Sequence, residues 1–119
     1  MESILTSVKK LLGITEEYEH FDTDIIMHIN SVFEDLNQLG VGPDEGFFIE
    51  DESAYWADFI PDMRKLQSVK SYMFLRVKLL FDSSTLSSAT IAAYERQIKE
   101  FEWRLNVSAE STDKEEVIV

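Results

Sequence analysis

The chain has 119 residues, a length that suits one domain with one hydrophobic core. Its 23 acidic residues outnumber its 11 lysines and arginines, so the formal net charge is −12. That charge argues against a protein that grips nucleic acid or an anionic membrane, because both need a basic surface patch. The chain has no cysteine, which excludes disulfide frameworks, thiolate zinc sites and thiol nucleophiles.

The N-terminal stretch MESILTSVKKLLGI predicts a first helix over residues 3–12. Ser3 is placed to cap it, its apolar residues are Ile4, Val8, Leu11 and Leu12, and Gly13 is placed to end it. The stretch is too short and too charged for a signal peptide, and no apolar run approaches the ~20 residues of a membrane span. We therefore expect that the protein is not secreted through a signal peptide and has no membrane partner.

A second helix is predicted over residues 22–39, with Asp22 as its N-cap and Gly40 at its end. Phe21 and Ile26 have the spacing of a hydrophobic staple around that cap. The apolar residues recur at intervals of three and four, which is the period of an amphipathic helix. They are Phe21, Ile25, Ile29, Val32, Leu36 and Leu39.

The connection FFIEDESAYWADFIPD, residues 47–62, combines aromatic and acidic residues outside the predicted helices. It forms either a β-hairpin, with residues 47–49 paired to 54–56, or a helical turn from Ser53. Its aromatic side chains either cover the helical core or face another subunit, and both roles can hold together, with Phe48 and Trp56 directed inward. The candidate interface residues are Phe47, Phe48, Ile49, Tyr55, Trp56 and Phe59.

Two further helices are predicted over residues 62–81 and 87–107, the former with Pro61 in its first turn. The third helix is apolar on two faces, so we expect it to be the central and most buried one. It should pack against the second helix and against Ile98 and Phe101 of the fourth. Its predicted core residues are Leu66, Val69, Met73, Val77 and Leu80.

The last residues of the chain differ in composition from the helices. We divide the chain into a helical domain, residues 1–107, and an acidic C-terminal tail, residues 108–119. Residues 108–116 are polar and should lack fixed structure in the free chain. The tail ends on Val117, Ile118 and Val119, which are further candidate interface residues because β-branched ends can add a strand to a partner's sheet. The predicted fold class is therefore all-α: a small four-helix domain with an aromatic connection between the second and third helices.

Several acidic and histidine spacings have a chemical interpretation, but each is incomplete. Glu17 and His20 have the spacing of one half of a di-iron motif, and Asp24 and His28 lie four residues apart. The run of residues 50–52 is acidic but lacks the spacing of a calcium loop. The chain has no glycine-rich phosphate loop and no serine in a nucleophile turn. We therefore predict no enzyme, no catalytic residue, no metal and no cofactor.

Five stretches together have a familiar pattern: ILTSVKKLLGI, DTDIIMHINSVFEDLNQLGVGP, AYWADFI, LQSVKSYMFLRVKLLFD and IKEFEWRLNV. On these stretches the sequence resembles the head–tail connector (adaptor) proteins of tailed bacteriophages and prophages, and the resemblance weakens only in the last residues. It implies a structural protein of the virion head–tail interface, present in the bacterial host cytoplasm before assembly. It implies three partners: the portal protein, tail-side connector or completion proteins, and other copies of itself, in a ring of about a dozen copies. DNA would pass through the lumen without specific binding.

An alternative function is also compatible with the charge. A free-standing acidic helical regulator could bind a basic surface of another protein, such as a DNA-binding protein. Such a regulator would need no ring and no portal.

Overall fold

The structure is a computed structural model that describes residues 3–118, although the side chains of Met63 and of residues 110–118 lie outside that description. Within this range the chain forms five α-helices and one 3-10 turn, Ser83–Thr85. The helices are α1 (Ile4–Leu11), α2 (Asp22–Gln38), α3 (Trp56–Phe59), α4 (Met63–Asp82) and α5 (Ser88–Ile118). The predicted all-α class is confirmed, and the four longer helices begin close to the predicted residues.

The helix ends follow local hydrogen bonds. Ser3 caps α1 as predicted, with its Oγ accepting from the Thr6 N–H at 3.3 Å, and Gly13 follows at a φ of +82°. At α4 the cap is Asp62, whose carboxylate accepts from the Arg64 N–H at 2.9 Å. Pro61 therefore precedes the helix. The prediction that it lies in the first turn is wrong.

The predicted start of α2 is wrong in its detail. Phe21 occupies the cap position without a side-chain cap bond, and Asp22 is the first helical residue. The reason is that the Asp22 carboxylate turns towards α1, where its Oδ1 lies 2.8 Å from the Lys9 Nζ. An ion pair with another helix has replaced the local cap.

The core lies around α4, which contacts α1, α2 and α5. Met73 is fully buried, as predicted for the central helix, and so are Val69, Tyr72 and Val77. They share one apolar cluster with Ile25, Ile29, Val32 and Leu36 of α2 and with Ile98 of α5.

Leu80 departs from the predicted core. Its side chain is 47% exposed. Leu80 lies in the last turn of α4, where it lines an open groove that α4 forms with Ile98 and Lys99 of α5. The apolar period of α4 thus continues for one turn beyond the part of the helix that other elements cover.

The β-hairpin does not form: residues 3–118 contain no strand. The alternative that we had left open, a helical turn, is present as α3, although it starts at Trp56 instead of Ser53. The extended part of the connection makes one isolated bridge, between Ser3 and Tyr55, beside an Ile4 N–H that donates to the Ala54 carbonyl at 3.0 Å. The connection is therefore attached to α1 instead of being paired with itself.

The last helix is longer than predicted, because α5 runs to Ile118 and not to residue 107. Residues 108–118 contain no glycine or proline and several good helix formers, so nothing in them stops a helix. The backbone is thus helical where an unstructured tail was predicted. The side chains of Val117 and Ile118, and all of Val119, lie outside the described residues.

Candidate interaction surfaces

The connection between α2 and α3 covers the core with aromatic rings. Phe33 of α2 is buried and lies against Phe47 and Phe59, with ring centroids 5.0 Å and 4.7 Å away. Phe47 and Phe59 are themselves 5.3 Å apart. Tilted and edge-to-face arrangements of this kind are favourable beyond the area that they bury. The three rings form one cluster that holds the two ends of the connection on α2.

A single asparagine fixes the middle of the connection. The Asn30 Oδ1 accepts from the Ile49 N–H at 2.7 Å, and the Asn30 Nδ2 donates to the Ile49 carbonyl at 2.9 Å. These are the two backbone groups that a neighbouring strand would have satisfied. The amide of a helix residue thus replaces the hairpin partner and leaves Ile49 buried.

Trp56 points inward, as predicted, and joins three elements. Its indole N–H donates to the Ser7 Oγ of α1 at 2.8 Å, and the Lys70 ammonium of α4 lies 5.8 Å from the ring centroid. The start of α3 is held by Asp58, whose carboxylate accepts from the Tyr55 N–H at 2.9 Å. The tryptophan therefore belongs to the core of the free chain.

The structure separates the candidate interface residues of the connection into two groups. Ile49, Trp56 and Phe59 are buried and Phe47 is partly buried, whereas Phe48 is 67% and Tyr55 36% exposed. The inward direction predicted for Phe48 is wrong, because side chains alternate along extended backbone and both neighbours of Phe48 point inward. In the free chain, Phe48 and Tyr55 are therefore the exposed aromatic residues of this segment.

A second exposed apolar surface lies on α5 and was missed in the sequence. Trp103 is 68% exposed, and Val107, which is four residues later and therefore on the same helix face, is 38% exposed. The apolar residues Ile98, Phe101 and Leu105 recur at intervals of three and four, as in an amphipathic helix, and Trp103 lies outside that stripe. A tryptophan outside the stripe of an amphipathic helix was the signal available.

A polar cluster joins α2, α4 and α5 beside the core. Arg76 lies 2.6 Å from the Asp35 Oδ2 and donates to the Tyr72 hydroxyl at 2.6 Å. The Tyr72 hydroxyl in turn donates to the Glu102 Oε2 at 2.7 Å. Burial, assisted by the Glu102 carboxylate, raises the pKa of Tyr72 above its ordinary value. Each polar group is engaged with another, so the cluster reads as a structural link between three helices.

Because the pKa of Tyr72 is raised, the free energy of unfolding should decrease as the solution becomes alkaline. The unfolded tyrosine ionises near its ordinary pKa of about 10, while the folded one still holds its proton. The stabilisation that the protonated Tyr72 provides is complete below about pH 10 and decreases as the pH rises towards the pKa of the folded state. We expect urea unfolding to give a steeper loss of stability above about pH 10 for the native chain than for Tyr72→Phe. Equal slopes in the two proteins would contradict the contribution of this hydroxyl.

A third surface is a groove beside the C-terminal half of α5. It has a volume of about 280 Å³ and lies between the loop after α2, the segment joining α3 to α4, and α5. Its lining residues are Gly40, Val41, Gly42, Phe59, Ile60, Pro61, Lys65, Leu105, Ser108 and Ala109. Within this lining, Gly42 packs so closely against the Phe59 ring that a Cβ at this position would lie 2.4 Å from it.

The spacings with a chemical interpretation do not come together as sites. Among the residues that the structure describes, no group of three or more histidine, aspartate or glutamate side chains is arranged to hold a metal. His20 lies edge-on against Phe21, at a centroid distance of 4.8 Å. No helix in the described part of the chain is long and apolar enough to cross a membrane.

Comparison with known proteins matches the chain to a family. A family model described as phage connector protein matches residues 4–112, which is most of the chain. No curated protein and no solved structure matches significantly.

Proposed function

The chain belongs to the phage connector protein family, and we propose that it acts as a ring under the portal that joins the capsid to the tail. Family membership makes it a virion-associated structural protein that interacts with other head and tail proteins. The ring, the portal contact and the passage of DNA through the lumen are the parts that we propose. The family also favours this role over that of a free-standing acidic regulator.

The observation that carries the proposal is that exposed apolar side chains occur on separate elements. Phe48 and Tyr55 lie on the connection, and Trp103 and Val107 lie on α5. A ring is a head-to-tail assembly, in which each copy presents two different surfaces to its two neighbours. Exposed aromatic residues are also the side chains that dominate binding energy at protein interfaces. The surface chemistry therefore suits a subunit with neighbours on two sides.

The charge of the chain supports the proposed DNA passage. A ring in which each copy has a net charge of −12 would carry a large surplus of negative charge. A lumen wall that binds phosphates would hinder the movement of DNA, whereas a wall that repels them would not. We also propose a division of the chain. Residues 1–107 form the connector domain, and residues 108–119 are available for contacts between proteins.

Imaging of the assembled particle tests this function. We expect density for a ring of this chain between the portal and the tail, and we expect particles that lack the protein to retain heads without tails. A particle in which this position is filled by another protein would contradict the proposal.

Changing the exposed aromatics of the connection should weaken assembly. We expect the double variant Phe48→Ala, Tyr55→Ala to lose about 2 kcal/mol or more of binding free energy in ring formation or portal docking. Its melting temperature should change little, because both side chains are exposed in the free chain. Analytical ultracentrifugation with purified portal measures the first quantity, and calorimetry the second.

Phe59→Ala is the matched control for that variant. Phe59 belongs to the same segment but is buried against Phe33 and Phe47. Its replacement should lower the melting temperature, whether or not a partner is present. If the double variant lost as much thermal stability as Phe59→Ala and assembled normally, the exposed aromatics would have no role at an interface.

A further inference from the structure

The groove beside α5 has an apolar floor and a cationic rim. Its buried side chains are Val41, Phe59, Ile60 and Leu105. A second hollow, lined by Arg64, Lys65, Ser68, Arg104, Leu105 and Ser108, shares Lys65, Leu105 and Ser108 with the groove. A volume of about 280 Å³ is near the lower end for binding pockets, so it suits a few aliphatic side chains.

Three cations gathered at one place are unusual in so acidic a chain. Among the described side chains, several lysines and arginines are paired: Lys9 with Asp22, Arg76 with Asp35, and Lys78 with Asp82. Arg104 pairs with Glu100 at the surface. Arg64 and Lys65 enter no ion pair with another described side chain, so their charge is available to an acidic ligand.

The chain itself contains a segment with the complementary chemistry. Residues 110–116 include four acidic residues, Glu110, Asp113, Glu115 and Glu116, and only one cation, Lys114. They are followed by the aliphatic residues 117–119. An acidic stretch followed by an aliphatic end matches a cationic rim beside an apolar groove, both in charge and in the order of the two parts.

This segment cannot fill the groove of its own chain. The groove contacts α5 at Ser108 and Ala109, and the helix continues from there to Ile118. At about 1.5 Å per residue, the end of the helix lies about 14 Å beyond the groove. The segment that reaches a given groove must therefore come from another molecule.

We infer that the groove and its cationic rim receive the C-terminal segment, residues 110–119, of a second copy of this chain. Aliphatic side chains of that segment fill the space over Leu105 and Ile60, and its carboxylates face Arg64, Lys65 and Arg104. The contact is head-to-tail, because the donor and the acceptor surfaces differ. The inference rests on the proposed ring, to which it adds the identity of one contact between neighbours.

Disulfide cross-linking tests this contact cleanly, because the chain contains no cysteine. One population of the full chain carries Thr112→Cys in the acidic part of the tail, and a second, with a different affinity tag, carries Ser68→Cys in the cationic hollow that this part should face. The matched control replaces Ser84, an exposed serine beyond the opposite end of α4. Under mild oxidation, we expect the mixed-tag dimer to form about tenfold faster with the cysteine at position 68 than with the one at 84.

Charge reversal separates a specific dock from random collision. Lys65→Glu in the acceptor should slow cross-linking about tenfold, because like charges then face each other. Glu115→Lys together with Glu116→Lys in the donor should restore the rate with that acceptor. Equal rates at positions 68 and 84, or rates that ignore the charge reversal, would overturn the inference. So would preferential cross-linking of the tail cysteine to the portal protein when purified portal is added to the mixture. If particles still show the ring in that case, the contact is wrong and the proposed function stands.

Discussion

Replacing Phe33 by alanine is expected to lower the free energy of unfolding by about 3–5 kcal/mol, the usual cost of removing a buried phenylalanine. Phe33 is 1% exposed and supports both Phe47 and Phe59. Its loss removes the common partner of the two ends of the connection as well as its own buried area. For a small domain, that loss is a large fraction of the total stability. Chemical denaturation monitored by circular dichroism measures it.

Phe48→Ala provides the control for Phe33→Ala. The same side chain is removed, but from a position that is 67% exposed, so the free energy of unfolding should change by no more than about 0.5 kcal/mol. Similar losses in the two variants would mean that the connection is not organised around Phe33, and that the two sides of this segment had been assigned wrongly.

Lys9→Ala should be nearly as damaging, although it replaces a charged residue on a short helix. Lys9 is 2% exposed. Its Nζ donates to the Glu16 carbonyl at 2.9 Å and lies 2.8 Å from the Asp22 Oδ1. Removing one partner of a buried ion pair leaves the other charge without compensation, at a cost of 3–5 kcal/mol in fully buried cases. Because Asp22 is partly exposed, we expect about 3 kcal/mol.

The neighbouring lysine supplies a direct comparison. Lys10 is exposed, so Lys10→Ala should leave the free energy of unfolding within about 0.5 kcal/mol of that of the native chain. The double variant Lys9→Ala, Asp22→Ala should lose less than the sum of the two single variants, because the pair acts as a unit. Additive losses would show that the two side chains are not coupled.

Lys9 also shows the limit of what the local sequence pattern can predict on α1. The first helix was predicted from its apolar residues Ile4, Val8, Leu11 and Leu12, but Leu11 is 55% exposed, whereas the charged Lys9 is buried. Residues 4, 5, 8 and 9 share one helix face, so the geometry alone permits it. A burial that depends on Asp22, which is 13 positions away along the chain, leaves no mark in the local pattern.

The helices themselves were predictable because their signals are local. Capping residues, glycine stops and the apolar period of α2 and α4 lie within a few residues of the structure they specify. The connection was predictable only as a pair of alternatives. Its outcome depends on Asn30, whose amide satisfies the Ile49 backbone from a different element. Nothing near Ile49 in the sequence indicates that partner.

The candidate surfaces differ in the same way. Trp103 could have been found from its position outside the stripe of α5. The groove could not, because it needs the loop after α2, the segment before α4 and the last part of α5 to meet. The end of α5 was misplaced for a physical reason as well: acidic composition suggested a solvated tail, yet the same glutamates favour helix.

The two tryptophans of the chain occupy opposite environments. Trp56 is buried, with its indole N–H bonded to Ser7, whereas the Trp103 ring is largely in water. Indole emission moves to longer wavelength when water can relax around the excited ring. The intrinsic fluorescence of the chain is therefore the sum of two independent reporters. In Trp56→Phe, the emission wavelength of the remaining Trp103 should respond to contacts on α5. In Trp103→Phe, the emission wavelength of the remaining Trp56 should respond to opening of the core. The molecule thus carries its own optical means of separating assembly from unfolding, without any attached dye.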